Sequence, residues 1–317
     1  MGILTTTHNT SLTVRELGEQ TKQFVIESTS AATRRAYQSD ARIFAGWCEA
    51  QGICPMPATP ATIANFLADQ ANDGISPSTL NRRIAAIKFA HEAAGHESPT
   101  AHKLVSATLK GVRRTTGAKV EKKAAATVDK IYQMIAQCDS KALQGKRDKA
   151  VLLLGFAGAF RRSELAALQV EDIEVVADGL KVTIRKSKTD QEGEGQTIAI
   201  YNGRLNVVGI LQDYIQSAGI VGGALFRPIT KGGNLRQQAI SDKSIAEIVK
   251  RYASASGLNP DQFAGHSLRS GFITSAAEAG ANLFKIMDVS RHKSVQTVKG
   301  YVRNAELFKD HAGSSFL

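Results

Sequence analysis

The chain has 317 residues, 43% of them hydrophobic, and carries 40 lysines and arginines against 29 aspartates and glutamates, a formal net charge of +11. That length predicts about two domains, each with its own core, and the apolar content excludes a disordered or fibrous chain. The excess of basic residues points to a polyanionic partner, with ribosomal, membrane-surface and plain solubility readings still open.

In chain order, residues 1–12 are polar and read as a flexible N-terminus without the basic start or apolar block of a signal peptide. Residues 13–114 read as a helical bundle. Tyr37, Ala41, Phe44 and Cys48 share one helical face behind a start near Ser30 or Thr33. Thr59-Pro60 reads as an N-cap with proline at the first helical position, ahead of Ile63, Phe66 and Leu67. Leu80, Ile84, Ile87 and His91 form a third stripe stopped by Gly95, and Val105, Leu109 and Val112 mark another helix. The bundle is expected to hold four or five helices.

Basic residues gather on its polar faces. Arg34, Arg35, Arg42, Arg82, Arg83 and Lys88 lie on two of the helices. Lys110, Arg113, Arg114, Lys119, Lys122 and Lys123 follow in and beside a linker placed at 115–126. Concentration on particular segments fits a surface that tracks phosphates better than a merely solvated face.

The second domain is placed at 127–317. Ile131, Ile135 and Cys138 mark a helix, and Lys149 to Phe160 reads as a buried one; its apolar run is about half a membrane span, so no transmembrane helix is expected. The period then changes. Ile173 to Val176 and Leu180 to Ile184 flank an Asp178-Gly179 turn, and Thr197 to Ile200 supplies a third strand. The class is therefore mainly α with a small antiparallel β-sheet. Cys48, Cys54 and Cys138 cannot all pair internally and lack metal-ligand spacing, which suits a reducing cytosol.

No Walker loop, dinucleotide fingerprint or HExxH is present, and carboxylates do not cluster as two metal ions would require. Cations stand out instead. Arg161-Arg162-Ser163-Glu164-Leu165 follows the long apolar segment. Arg185 to Gly193 is a charged loop between strands that holds Lys186 and Lys188. His266 and Arg269 are three apart, on one helical face, and Tyr301 follows His292 by nine residues.

Arg-x-Ser-Glu-Leu, a hairpin lysine, His-x-x-Arg, and His and Tyr nine apart, in that order behind a basic helical domain, are similar to the tyrosine recombinases of the phage-integrase family. The plasmid, phage and mobile-element branch is nearest in look, and the resemblance covers about residues 12 to 310. It implies an α+β catalytic domain that forms, with the helical domain, a C-shaped clamp on DNA. It implies a site-specific recombinase that cleaves and rejoins duplex DNA through a 3′-phosphotyrosyl intermediate and a Holliday junction, needing neither ATP nor metal. Tyr301 would be the nucleophile. Arg161, Arg269 and His292 would donate to the phosphate, and His266 would accept a proton or bind phosphate. Lys188 would protonate the leaving 5′-oxygen, with Lys186 the alternative. Glu164, three residues beyond the catalytic arginine, assigns that role to Arg161 over Arg162 and would orient the arginine or histidine side chains.

The implied partners are double-stranded DNA with an inverted-repeat site and three further copies of the chain in a homotetramer on two such sites, with no membrane. The implied location is the cytoplasm of a prokaryote, or of a phage's host, at the nucleoid. The apolar tail, Leu307, Phe308, Phe316 and Leu317, would pack on its own core or on a neighbouring subunit. A type IB topoisomerase-like enzyme or an inactive DNA-binding relative are the alternatives.

Overall fold

The computed structural model describes residues 24, 28–117, 123–185 and 195–305, with only the backbone at 302–305. Lys119, Lys122, Lys186, Lys188, the first twelve residues and the apolar tail lie outside the described residues. The chain divides into two compact units, Met1–Glu121 and Lys122–Leu317.

Four helices are described in the first unit: α1 (Ala31–Ala50), α2 (Pro60–Asn72), α3 (Pro77–Ala93) and α4 (Lys103–Thr115). Their starts follow the expected capping chemistry. Ser30, Thr59 and Ser76 accept hydrogen bonds from the backbone amides of Thr33, Thr62 and Thr79, and Pro60 and Pro77 begin their helices. The apolar stripes meet in one core of Phe44, Cys48, Ile63, Phe66, Leu67, Leu80, Ile87, Val105, Leu109 and Val112. His91 belongs to that core: Nδ1 lies 2.8 Å from the Ile87 carbonyl oxygen, and Nε2 accepts from the Ala58 amide at 2.9 Å.

Arg83 departs from the expected solvent-facing arrangement. Its side chain is buried, 3.8 Å from Asp40 and over the Phe66 ring, whereas neighbouring Arg82 is half-exposed and holds Asp40 with two hydrogen bonds of 2.7 and 3.0 Å. Successive helical residues lie about 100° apart, so the two arginines face in different directions.

In the second unit, α5 (Val128–Ala136) precedes α6 (Leu143–Ala157), which is buried along its length from Ala150 to Phe156. The buried helix thus starts six residues before Lys149 and ends before Phe160. Its polar first turns were hidden from the apolar pattern because Arg147 and Asp148 are buried as a pair, 2.7 Å apart. Past Gly158 the chain turns at Ala159 (φ 45°), and a new short helix, α7 (Arg162–Ala167), begins with Arg161 as its N-cap. Arg161 and Arg162 therefore open a helix rather than close one.

The sheet has three antiparallel strands in the order β1 (Ile173–Val176), β2 (Gly179–Ile184), β3 (Gln196–Tyr201). Leu180, Val182 and Ile184 alternate with exposed Lys181 and Thr183, the period of a half-buried strand. Val176 pairs with Gly179, so the turn is Ala177-Asp178 and the glycine already belongs to β2. At φ 152°, a Cβ at Gly179 would stand 2.0 Å from the Ile200 carbonyl oxygen, which demands glycine there.

Five helices follow among the described residues: α8 (Val207–Ala218), α9 (Asp242–Ala255), α10 (His266–Glu278), α11 (Leu283–Ser290) and α12 (Val295–Ala305). Residues 123–126, inside the stretch expected to be a linker, bond to the second unit. Lys123 Nζ and the amides of Ala124 and Ala126 donate to carbonyls of Asp261, Gln262 and Ser267 at 2.7, 2.7 and 2.9 Å. A Cβ on Gly271 would meet the Ala126 carbonyl oxygen at 1.9 Å, so this segment lies directly against α10. Among the described residues no helix is long and apolar enough to cross a membrane.

Candidate active site

The turn between α6 and α7 organises the site. Glu164, in the first turn of α7 and buried, accepts from the Arg161 amide through Oε2 (2.9 Å) and from Arg161 Nη1 through Oε1 (2.5 Å). Arg161 is mostly covered, while Arg162 turns out toward Asp242 at 3.1 Å. The backbone of that short helix thus separates the two arginines, and Arg161 is the one that faces the cluster.

Helix α10 carries His266 at its exposed first position and Arg269 one turn on, only 1% exposed. Arg269 Nη1 donates to the Ala159 carbonyl at 2.8 Å, and Nη2 lies 3.3 Å from both ring nitrogens of His292. Ser290 Oγ stands 2.9 Å from His292 Nδ1. Tyr301, on α12, is half-buried against Ile273, Ala277, Ile286 and Val298.

Arg291 is a member of this cluster that sequence motifs do not reveal. Its side chain is buried. It donates to Glu164 Oε2 and to the carbonyls of Gly158, Ala159 and Val289 at 2.9, 2.9, 3.0 and 2.6 Å, and lies over the Phe160 ring at 5.1 Å. The one available signal was its place directly before His292; its burial and its φ of 55° are properties of the fold.

The charges strain against one another. Burial, with Arg161 and Arg291 beside it, pulls the Arg269 guanidinium down to about 9, still protonated at neutral pH. Burial also depresses Arg291. His292 is pulled down to about 4 by burial and then by Arg269, Arg161, His266 and Arg291, which leaves its imidazole neutral at pH 7. Burial alone would raise Glu164, but Arg291 and the Arg161 hydrogen bonds overcome it and hold the carboxyl below its ordinary value. Three guanidinium groups around one carboxylate form a buried site with surplus positive charge, which a bound phosphate would neutralise.

Four segments far apart in sequence, 158–164, 266–269, 290–292 and 301, therefore meet in one electrostatic neighbourhood. Arg161, Glu164, Arg269 and His292 are joined through direct contacts or shared acceptors. His266 lies within electrostatic range of His292, and Tyr301 within that of Arg269. Lys188 and its alternative Lys186 fall outside the described residues. Of the anticipated surface cations, Arg35, Arg42, Arg82, Lys88, Lys110, Arg113, Arg114 and Lys123 are exposed, whereas Arg83 is buried. Arg34 donates to the Thr29 carbonyl.

Residues 125–307 match the phage integrase family. The integrase/recombinase XerD homolog of Selenomonas ruminantium is 39% identical over 302 residues, 93% of this chain and 88% of its own. Recombinase Cre of Escherichia phage P1 is 24% identical over 300 residues, 88% and 86% of the two chains. The fold is similar to that of a lambda integrase dimer bound to a COC′ core site (TM-score 0.62, 18% identity, 90% of this chain and 75% of that one). It is also similar to Tn1549 transposon integrase with transposon right end DNA (TM-score 0.58, 17% identity, 93% and 98%). The chain belongs to the phage integrase family: it is a tyrosine recombinase, an enzyme of site-specific DNA recombination.

Proposed function

We propose that this recombinase breaks and rejoins duplex DNA through Tyr301, in a site whose surplus positive charge is matched to the phosphate in flight. The observation that carries the reading is the buried meeting of Arg161, Arg269 and His292 around Glu164 and the 158–160 turn, with Tyr301 close enough to act on the Arg269 charge.

The Tyr301 oxygen attacks phosphorus, a 3′-phosphotyrosyl bond forms, and the bond to the 5′-oxygen breaks. The tyrosine proton passes to His266 or solvent, and the departing 5′-oxygen takes a proton from Lys188. One phosphoester replaces another, so the reaction is reversible and needs no ATP; its return on a different 5′-hydroxyl rejoins exchanged strands.

Arg161 and Arg269 answer the charge that builds on the nonbridging oxygens, because a planar guanidinium can donate two parallel hydrogen bonds where an ammonium offers a point charge. With the Ser290 hydroxyl and Arg269 Nη2 both donating to Nδ1, neutral His292 would carry its proton on Nε2 and act as a further donor to the phosphate. Glu164 holds the Arg161 head and backbone amide together and so fixes its direction.

Around this chemistry we infer a protein of two DNA-gripping domains acting in the cytoplasm. Arg35, Arg42, Arg82, Lys88, Lys110, Arg113 and Arg114 would follow the backbone. Two copies would sit on an inverted-repeat site and four would join two sites, exchanging strands in pairs through a Holliday junction.

The test begins with duplexes selected from random DNA for tight binding. A nick just downstream of the scissile phosphate lets the short fragment bearing the freed 5′-hydroxyl diffuse away and traps the covalent intermediate. The expected outcome is a protein–DNA adduct, plus recombinant product from two differently labelled intact duplexes. No adduct from any selected duplex overturns the proposal. An adduct with relaxation of supercoils but never an exchanged product favours a topoisomerase-like reading.

A further inference from the structure

Arg291 takes no part in the motifs above, yet it stands between the two arginines proposed to meet the phosphate. Its Nη2 donates to Glu164 Oε2, the oxygen that also receives the Arg161 amide, and to the Ala159 carbonyl, which also receives Arg269 Nη1. A continuous path runs from Arg269 through Ala159, Arg291 and Glu164 to Arg161, linking α10, the 158–160 turn, the end of α11 and the start of α7.

We propose that Arg291 is a positioning residue for phosphoryl transfer, one that sets the separation and direction of Arg161 and Arg269 through their shared acceptors. The proposal rests on the assignment of phosphate binding to those two arginines.

The backbone supports it. Arg291 has φ 55° and Ala159 φ 45°, left-handed conformations that are unfavourable for a side-chain-bearing residue. On backbone preference alone, glycine would suit position 291. The arginine is held by hydrogen bonds to one carboxylate and three carbonyls and by the Phe160 face. Lysine has neither the reach in two directions nor the planar donor fork to serve these acceptors together.

Burial makes the arrangement costlier still. A third guanidinium beside Arg161 and Arg269 adds repulsion, and Arg291 Nε has no hydrogen-bond partner among the described residues. Such a group fits a rigid brace within a site already crowded with cations.

Arg291→Gly separates brace from backbone, since glycine accepts the local φ. The charged groups facing Glu164 are Arg161 from the start of α7, Arg269 from α10 and Arg291 from the end of α11, with His292 and His266 beyond them. Without Arg291, Glu164 loses the first of the cations that keep it ionised, and its grip on Arg161 weakens earlier as pH falls.

The experiment measures DNA affinity and single-turnover formation of the Tyr301 adduct on the nicked duplex, for wild type and R291G, between about pH 5.5 and pH 8.5. DNA affinity should stay within about threefold of wild type, while adduct formation slows about tenfold to a hundredfold, the scale of a displaced catalytic group, with the deficit widening toward acid. Adduct formation within about threefold of wild type across the range, or a deficit that does not vary with pH, overturns the proposal. Should R291G not fold, R291K keeps the charge without the brace: it should form adduct slowly with a deficit flat in pH, and wild-type rates for it overturn the proposal. Wild type forming no adduct at all removes the reading beneath; wild type and R291G forming it equally removes only the brace.

Discussion

Arg269 donates to the carbonyl oxygen of Ala159 at 2.8 Å, a contact between positions 110 residues apart that ties the His-x-x-Arg helix to the turn before Arg161. One edge of the guanidinium is thereby committed to the scaffold, and Nη2 at 3.3 Å from His292 faces the rest of the cluster. Arg269→Lys keeps the charge but loses this division of labour. Cleavage should fall about a hundredfold to a thousandfold, with DNA affinity within a few-fold, in single-turnover kinetics beside a binding titration. Loss of affinity with an unchanged cleavage rate would contradict the role.

His292 makes a prediction about pH. Its midpoint near 4 lies below the ordinary 6.5, so the folded state resists protonation and this contribution to stability diminishes as pH falls from about 6.5 toward 4. NMR of the imidazole resonances should show the low midpoint in the free protein and a rise on binding DNA, whose phosphates offset Arg269 and Arg161. A midpoint near 6.5 in the free protein would contradict the electrostatic description.

Glu164 has a linkage of the same sign, in a more acidic window. Its folded carboxyl titrates below the ordinary 4.5, so the stabilisation is fully present above that value and is lost as pH drops through the folded midpoint. Glu164→Gln leaves Arg161 and Arg291 buried without their anion and should cost about 3 kcal/mol at neutral pH by denaturant unfolding. The difference between the two proteins should shrink in acid below the ordinary carboxylate range; a difference that grows there would refute it.

Arg82 and Arg83 give a test in the first unit. Arg82 is half-exposed and Arg83 buried, its Nε and Nη1 without hydrogen-bond partners among the described residues. Salt titrations of DNA binding should show the slope reduced by about one in Arg82→Ala and unchanged in Arg83→Met. The latter should also stay within about 1 kcal/mol of wild-type stability, since methionine removes donors that are already unsatisfied. A reduced slope in Arg83→Met would return that residue to the phosphate surface.

These particulars show what the sequence could carry. Apolar spacing located the helices of the first unit because each buries one stripe, and Thr59-Pro60 and Ser30 located their starts because capping is local chemistry. Alternation in Leu180, Val182 and Ile184 located the sheet for the same reason. Local spacing carried less where burial was polar. Arg147 and Asp148 concealed the first turns of α6, and Arg83 read as a surface cation because nothing in two successive arginines tells which one faces inward. The motif residues were legible one by one, since each is a chemical type at a fixed spacing. Arg291 was not, because its importance lies in acceptors supplied by residues more than a hundred positions away.

The chemistry proposed for the site turns on Tyr301 forming the covalent bond to DNA. The most direct measurement is mass spectrometry of the adduct trapped on a nicked duplex, after protease and nuclease digestion. The expected result is a nucleotide joined through its 3′-phosphate to the peptide bearing Tyr301, and no adduct from Tyr301→Phe. A nucleotide on any other residue, or an adduct that survives Tyr301→Phe, would contradict it.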